Sequence, residues 1–331
     1  MAKNKIGVAL IGTGGVAHMH AQGFQKQACA ELVGAYSRSD AKRKAFANAY
    51  NISTYDRVEA LLEDDSVDAV AILTPTPTHV DYALAAIGAG KHVLLEKPVA
   101  QNTQELKVLI EAAEESGVVC MPNHNYIYAP EIQRGREYID AGAFGKLSSL
   151  WMIYNQKHWP ELGSPEVTLW ELCIHHAYTL LHLAGTPVRV TATGTNVFFD
   201  DANSNDQISI QAEYESGLIA HLWGSFGVDD KTSSPWNVMY KVLGTEGGFT
   251  HTWNDLQFGD AEQPGWDLAG YRESFTYAQK HFIDSCMDPS VKPLSTLNDA
   301  LDAYAVLDAV AIAIKERAWV EVEYHQKSSS V

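Results

Sequence analysis

A glycine-rich turn close to the N-terminus constrains the fold more than any other feature of the chain. A short apolar run over residues 6–11 leads into Gly12-Thr13-Gly14-Gly15-Val16-Ala17. This order predicts a buried strand, a tight turn and a helix start, because the glycines let backbone approach a pyrophosphate while Ala17 keeps helix and strand close. The N-terminus of such a helix attracts phosphate groups. The turn therefore predicts a dinucleotide site at the edge of a parallel sheet.

The second predicted strand, residues 32–36, bears on which dinucleotide is bound. It ends in Ser37-Arg38, at the place where an NAD site carries an acidic residue for the ribose hydroxyls. A serine and an arginine can instead hydrogen-bond and neutralise a 2′-phosphate. We therefore expect NADP to be favoured over NAD. NAD stays open, since Arg38 can also be a solvated residue before the helix predicted over 40–50.

Further strand–helix units follow in the first part of the chain. The apolar run 67–73 ends in Thr74-Pro75-Thr76-Pro77-Thr78-His79, and the run 92–95 ends in Glu96-Lys97-Pro98. Ligands of open parallel sheets bind at the carboxyl ends of their strands. The predicted cofactor contacts in these loops are Thr74, Pro75, Thr76, His79, Glu96 and Lys97.

The remainder of the chain predicts a second domain. The run 146–154 is predicted to begin its sheet, and apolar and polar residues alternate over 188–198, 207–214, 218–226 and 236–243, as in half-buried strands. Helices are expected over 271–287 and 296–317, the latter opened by a Thr296-x-x-Asp299 capping box. The predicted fold is α/β, with an N-terminal doubly wound Rossmann domain at 1–123. A C-terminal α/β domain with a large open, mostly antiparallel sheet is expected at 124–331.

Composition excludes several classes of protein. The 331 residues carry a net charge of −17, which argues against a nucleic-acid partner because no basic face displaces phosphate counterions. No apolar stretch approaches the roughly 18 residues of a membrane span. The four cysteines lack paired metal spacing and fit a reduced compartment. We expect a cytoplasmic protein without a metal site.

These motifs, in this order, resemble those of the Gfo/Idh/MocA oxidoreductases, the family of glucose-fructose oxidoreductase and inositol dehydrogenase. The resemblance rests on the glycine turn, on residues 74–79 and 90–98, and on the segment around His175. It implies a Rossmann domain followed by an α/β domain, with substrate between the second sheet and the nicotinamide. It also implies a homodimer or homotetramer assembled through the outer face of that sheet.

The resemblance implies Lys97 and His175 as the catalytic pair. Glu171 and His175 are four residues apart and so share one face of a helix, where Glu171 is expected to orient the pair or hold a substrate hydroxyl. Two residues depart from the family pattern, since Glu171 replaces aspartate and Tyr178 replaces an acidic residue. A histidine in the core of an apolar helix is the alternative for His175.

Other candidate contacts come from two segments. The family uses the stretch around 122–130 to cross between domains, which implies a cofactor contact for Asn125 and a substrate contact for His124. His158 and Trp159 are predicted at the rim of a sugar site, because tryptophan faces stack on sugar carbons. Trp223 and Trp253 are predicted as core or subunit-interface residues.

The predicted function is an NAD(P)-dependent dehydrogenase or reductase that acts on a sugar, an inositol or a sugar derivative. One alternative is a lyase or glycosidase that retains its cofactor and oxidises the substrate transiently. The other is a ligand-sensing regulator on the same scaffold, against which Lys97 and His175 count.

Overall fold

The computed structural model describes residues 4–157, 166–199, 204–228, 238–252 and 269–325. The chain forms two compact units, residues 1–128 with 272–300 and residues 129–271 with 301–331. The domain boundary near residue 123 stays a prediction. The packing units differ from it in two respects: the first break falls after residue 128, and residues 272–300 pack with the N-terminal unit.

The first unit is built on a six-stranded sheet in the order β3-β2-β1-β4-β5-β6. Its strands are β1 (Ile6–Ile11), β2 (Ala30–Tyr36), β3 (Ser53–Tyr55), β4 (Ala69–Ile72), β5 (His92–Leu95) and β6 (Cys120–Pro122). All neighbouring pairs run parallel. The helices in this part of the chain are α1 (Gly15–Gln25), α2 (Asp40–Tyr50), α3 (Val58–Leu62), α4 (His79–Gly88) and α5 (Thr103–Ser116).

Strand order reverses between β1 and β4, and this position defines the ligand-binding edge. Every residue of both strands is buried, as expected of parallel strands covered on both faces. A crevice opens outside the carboxyl ends of strands at such a switch point. The loops after β1 and β4 therefore meet where a ligand binds.

The second unit holds a seven-stranded sheet in the order β12-β11-β7-β10-β9-β8-β13. Its strands are β7 (Leu147–Asn155), β8 (Arg189–Thr195), β9 (Gln207–Glu213), β10 (Ile219–Ser225), β11 (Val238–Gly244), β12 (Gly248–Thr252) and β13 (Val320–Glu321). Only β7 and β10 pair in parallel among the described strand pairs of this sheet. Helices α6 (Pro130–Asp140), α7 (Ile174–Ala184), α8 (Ala269–Met287) and α9 (Leu297–Glu316) complete the fold.

The two faces of the second sheet differ in burial. Side chains alternate along β10, where Ala220 and Leu222 are buried and Ile219 is 38% exposed. The outer face also exposes Trp151 and Leu243 by 42% and 39%. The predicted α/β class with one parallel and one mostly antiparallel sheet is confirmed. No helix among the described residues is long and apolar enough to cross a membrane.

Helix ends follow local chemistry that can be recognised in the sequence. Ser39 caps α2 by accepting a hydrogen bond from the Lys42 amide at 3.4 Å, and Asn102 caps α5 in the same way. Thr296 and Asp299 form the predicted reciprocal capping box, with bonds of 3.2 and 2.7 Å between side chain and amide. These caps explain why several helix bounds agree with prediction.

Candidate cofactor cleft and active-site residues

The turn after β1 has the backbone geometry that a pyrophosphate requires. Gly12 has φ +113°, and a Cβ there would lie 2.7 Å from the Leu73 carbonyl oxygen, so only glycine fits. A Cβ at Gly14 or Gly15 would meet no atom within 4 Å, which leaves open space beside the backbone. Helix α1 has no side-chain cap hydrogen bond, and the first amides of an uncapped helix are available to an anion. The turn therefore fits the phosphates of a dinucleotide.

A cleft of about 340 Å³ extends from this turn. Seven of the predicted cofactor residues line it: Gly12, Thr13, Gly14, Ser37, Arg38, Thr74 and Pro75. Its lining does not include Gly15, Val16, Ala17, Thr76 or His79. Ala17 is fully buried under the turn, consistent with its predicted role in helix–strand packing.

The far end of the cleft is basic. Arg38 and Lys42 both line it, and none of its described lining residues is an aspartate or glutamate. The nearby Asp40 is engaged by Arg43 and Lys44 at 2.7 and 2.9 Å. Lys42 was not predicted from the sequence, because nothing local distinguishes it from Lys44 two residues later. Two cations at this end suit a phosphate group.

An aromatic pair adjoins the same end. Tyr36 and Tyr82 line the cleft and contact each other edge to face, with ring centroids 6.3 Å apart. Partial burial, the main cause, raises the pKa of the Tyr82 phenol above its ordinary value. The pair offers apolar ring surface for a flat base.

His79 connects two loops at the carboxyl edge of the sheet. The ring is 1% exposed, with Nδ1 2.9 Å from the Pro98 carbonyl and Nε2 2.6 Å from the Thr74 carbonyl. Thr78 adds a hydrogen bond from its hydroxyl to that of Thr74 at 2.8 Å. Both ring nitrogens therefore lie against backbone carbonyls and link the two loops, and the cofactor contact of His79 stays a prediction.

Glu96 has its carboxylate in the interior. Oε1 accepts hydrogen bonds from His20 at 2.8 Å and from Asn123 at 2.6 Å, and Oε2 accepts one from the Lys97 amide at 3.0 Å. Burial alone would raise the pKa of this carboxyl, but the hydrogen bond from His20, the Lys97 charge and Asn123 outweigh it and the pKa is lowered. Glu96 therefore binds the backbone of Lys97, and its direct contact with the cofactor stays a prediction.

His124 and Asn125 are anchored to residues from the C-terminal part of the chain. His124 is fully buried with Nδ1 2.6 Å from the Ser295 hydroxyl, and Asn125 donates to the Ser274 hydroxyl at 2.7 Å. Burial lowers the pKa of His124 to about 3, although the Glu96 charge opposes this, so the ring is neutral. Within the first unit, these contacts hold residues 272–300 against residues 1–128.

His175 lies near the N-terminus of α7 in the second unit. It is 3% exposed, its Nδ1 is 2.5 Å from the Tyr178 hydroxyl, and the Tyr154 ring meets it edge-on at 5.8 Å. Tyr178, which the sequence comparison treated as a departure, is thus a direct partner of His175. An oriented imidazole is what hydrogen bonding or proton transfer to a substrate oxygen requires.

Glu171 lies in a π-helical segment that leads directly into the helix of His175. Residues Thr168–Cys173 form a π-helical turn, and α7 begins only at Ile174. A π turn holds more residues than the 3.6 of an α turn, so residues four apart still lie near one face, and the shared face of Glu171 and His175 stays a prediction. Such turns are frequent at functional sites.

His176, the next residue after His175, faces the sheet. Its Nε2 donates to the Trp223 carbonyl at 2.9 Å, and burial lowers its pKa to about 4. Trp223 itself is half-buried on the outer face of β10. His158, Trp159 and Trp253 lie outside the described residues. Within the described part of the chain, no group of three or more potential metal ligands lies together.

Comparison with known proteins matches both halves of the chain to one family. Residues 6–124 match the model described as "Oxidoreductase family, NAD-binding Rossmann fold" of GFO/IDH/MocA, and residues 132–250 match the GFO/IDH/MocA C-terminal domain. These two matches cover the glycine turn, Lys97, Glu171 and His175.

Individual relatives extend the likeness. A 4-carboxy-2-hydroxymuconate-6-semialdehyde dehydrogenase of Sphingobium sp. (strain NBRC 103272 / SYK-6) is 27% identical over 94% of this chain and 99% of its own length. A D-xylose 1-dehydrogenase (NADP(+)) 2 of Haloferax volcanii is 31% identical over 64% of this chain and 65% of its own.

A solved structure shows the same fold. The putative myo-inositol dehydrogenase of Sinorhizobium meliloti 1021 superposes with a TM-score of 0.85 at 22% identity, covering 96% of this chain and 100% of that one. Sequence matches, cleft and fold agree, and the chain belongs to the GFO/IDH/MocA family of NAD(P)-dependent oxidoreductases.

Proposed function

We propose that this oxidoreductase transfers hydride between NADP and a hydroxyl- or carbonyl-bearing carbon of a sugar, an inositol or a sugar derivative. The observation that carries the proposal is the basic cleft beside the glycine turn, with Arg38 and Lys42 in its lining. The substrate class is drawn from relatives named as acting on xylose and inositol. The semialdehyde relative extends that class to aldehyde carbons.

NADP is the proposed cofactor because charge at the ribose end discriminates the two dinucleotides. A 2′-phosphate placed near Arg38 and Lys42 gains charge-assisted hydrogen bonds, while an NAD ribose gains none of them. Asp40, the nearest acidic residue in sequence, is neutralised by Arg43 and Lys44 and so does not repel a phosphate. The family model is described as NAD-binding, whereas the Haloferax relative is named for NADP(+).

The proposed chemistry assigns a task to each candidate residue. The bound nicotinamide supplies or accepts the hydride. Neutral Lys97 takes the substrate's hydroxyl proton during oxidation, and its ammonium form returns a proton during reduction. His175 hydrogen-bonds the reacting oxygen in an orientation set by Tyr178. Glu171 is proposed to bind a neighbouring hydroxyl.

The two alternatives considered from the sequence gain no support. The relatives given above are all named as dehydrogenases. None of these names describes a lyase, a glycosidase or a ligand-sensing regulator. A homodimer or homotetramer through the outer face of the second sheet remains part of the proposal. A cytoplasmic location stays a prediction.

The test is absorbance at about 340 nm, where reduced nicotinamide absorbs, with NADP and NAD supplied separately across aldoses, inositols and aldehydes. We expect absorbance to grow with NADP and one substrate group, at a kcat/KM at least tenfold above that with NAD, a ratio equal to about 1.4 kcal/mol. Equal or better turnover with NAD contradicts the cofactor proposal. If no substrate in the panel changes the absorbance while the cofactor is bound to the protein, the substrate proposal is contradicted.

A further inference from the structure

A buried polar cluster lies directly behind Lys97. Its four side chains, His20, Glu96, Asn123 and Gln279, are 0%, 7%, 1% and 0% exposed. They come from α1, from the end of β5, from the end of β6 and from α8. Polar groups buried this completely are costly unless each has a partner. Their hydrogen bonds therefore define how the cluster is charged.

Gln279 determines which nitrogen of His20 carries the proton. Its Nε2 lies 3.2 Å from the His20 carbonyl oxygen and 3.0 Å from His20 Nδ1. A carbonyl can only accept, so the amide nitrogen, and not the amide oxygen, must face it. The same nitrogen then donates to Nδ1, which leaves the proton of a neutral ring on Nε2.

The proton on Nε2 is directed at Glu96. His20 Nε2 donates to Glu96 Oε1 at 2.8 Å, and the Asn123 amide donates to the same oxygen at 2.6 Å. The carboxylate thus accepts from neutral donors, and its own negative charge is retained. Oε2 faces the amide of Lys97 at 3.0 Å, so this charge lies against the backbone of the proposed proton acceptor.

We propose that His20, Asn123 and Gln279 are positioning residues that keep Glu96 ionised, and that ionised Glu96 fixes the Lys97 backbone and sets the pH at which Lys97 loses its proton. The groups that face Glu96 are His20, Lys97, Asn123 and the neutral ring of His124. This inference rests on the proposed role of Lys97. It gives residues from α8 a part in reactivity, although they are far from Lys97 in sequence.

The first test needs no substrate. Nitrogen-15 NMR of the histidine-labelled protein reports the protonation of each ring nitrogen of His20, assigned with a His20→Gln variant. We expect a neutral ring protonated at Nε2, and a Gln279→Met variant should lose this preference because no donor holds Nδ1. An imidazolium in the wild-type protein at neutral pH, or an Nδ1-protonated ring, overturns the proposal.

The second test uses Glu96→Gln, which keeps the shape of the side chain and removes its charge. Without that charge the Lys97 ammonium is less stabilised and loses its proton more easily. In a plot of kcat for substrate oxidation against pH, the rising limb should therefore move to lower pH. We expect kcat to fall about tenfold while the KM for the cofactor stays within a few-fold. A rising limb at the wild-type position overturns the proposal.

Controls separate positioning from general destabilisation. Ser285→Ala also changes a buried residue of α8, but among the described residues its hydroxyl bonds to the His281 carbonyl of the same helix, at 2.9 Å. It should leave the pH profile unchanged. If Glu96→Gln fails to fold, Gln279→Met provides the same readout, with a smaller shift in the same direction; no shift overturns the proposal.

Lys97→Ala distinguishes failure of the proposed function from failure of this inference. Full turnover in Lys97→Ala removes Lys97 from the mechanism and overturns both. Loss of turnover in Lys97→Ala together with an unshifted Glu96→Gln profile overturns only the positioning role.

Discussion

Single side chains are proposed to decide cofactor choice in this protein. Arg38 could be recognised from its position after the second strand, because the ribose-reading residue follows that strand at a regular distance. Lys42 could not be assigned in the same way, since nothing local distinguishes it from the neighbouring lysine at position 44. Only the fold shows that Lys42 lines the cleft while Lys44 pairs with Asp40.

Replacing Arg38 should shift cofactor preference. We expect Arg38→Asp to raise the KM for NADP roughly 10- to 100-fold, because a charge-assisted hydrogen bond contributes about 1.5–3 kcal/mol and aspartate adds repulsion. The KM for NAD should stay the same or fall. Steady-state kinetics with both cofactors measures this, and Lys26→Ala is the matched control because Lys26 is an exposed cation at the end of α1, outside the cleft lining. An unchanged NADP to NAD ratio contradicts the assignment.

His175 depends on its neighbour Tyr178, a pairing that sequence spacing alone left undefined. A phenol donates hydrogen bonds better than it accepts them, so we expect Tyr178 to donate to Nδ1 and keep the proton on Nε2. Tyr178→Phe keeps the ring but removes this bond, and should lower kcat about tenfold with little change in melting temperature. Tyr138→Phe, at a half-exposed position on α6, is the control. A wild-type kcat in Tyr178→Phe would show that the hydrogen bond between His175 and Tyr178 plays no part in catalysis.

At the scale of elements, local patterns were reliable where secondary structure follows local chemistry. The strand β1, the helix α2 and the Thr296-Asp299 capping box occur where the sequence predicts them. The π-helical turn Thr168–Cys173 was not predicted, because its residues have the same apolar pattern as an α-helix. Short strands such as β3 and β6 also carry too few residues for a periodic signal.

The turn between β1 and α1 should tolerate no side chain at Gly12. In Gly12→Ala the new Cβ meets the Leu73 carbonyl at 2.7 Å with φ at +113°, so we expect a loss of stability of about 1–3 kcal/mol and weaker cofactor binding. Gly88→Ala is the matched control, because its Cβ in α4 meets nothing within 4 Å. That change should be neutral or stabilise by up to about 1 kcal/mol. Urea unfolding and cofactor titration test both, and equal effects would refute the steric argument.

At the scale of the whole molecule, the outer face of the second sheet is the surface expected to contact another copy of the chain. Trp151 is 42% exposed and stacks on His221 of the neighbouring strand, with ring centroids 4.2 Å apart. Ile219 and Leu243 extend the apolar surface on either side. Exposed apolar area of this kind is typical of an interaction surface.

A charge placed in the centre of that face should disrupt assembly. We expect Trp151→Glu to lower the molar mass in light scattering by half or more at micromolar concentration, because an unpaired charge would be buried between subunits. Ile312→Glu changes a residue of α9 with similar exposure, 44%, and should leave the mass unchanged. A wild-type mass for Trp151→Glu would place the subunit interface elsewhere.

Buried neutral histidines should make stability depend on pH. Burial holds the pKa of His124 at about 3 and that of His176 at about 4, against 6.5 in the unfolded chain. Below pH 6.5 the unfolded chain therefore binds more protons than the folded protein. Above pH 6.5 these two histidines should not change the free energy of unfolding. As the pH drops from 6.5 towards 4, the free energy of unfolding should fall.

Urea midpoints between about pH 7.5 and pH 4.5 measure this dependence. His176→Gln, which retains a donor for the Trp223 carbonyl, should flatten the slope. The exposed His18→Gln should leave it unchanged. A steep slope that persists in His176→Gln would assign the effect to other groups.

The sequence by itself determined the two-sheet architecture, the dinucleotide turn and the family, because these depend on short-range patterns of apolar, glycine and capping residues. The tertiary structure alone decided that Lys42 joins Arg38 and that the Glu96 carboxylate turns inward to His20. It also decided that Gln279 bonds to a histidine far away along the chain. Such contacts depend on how distant elements pack, and residue spacing carries no information about partners brought together only by folding.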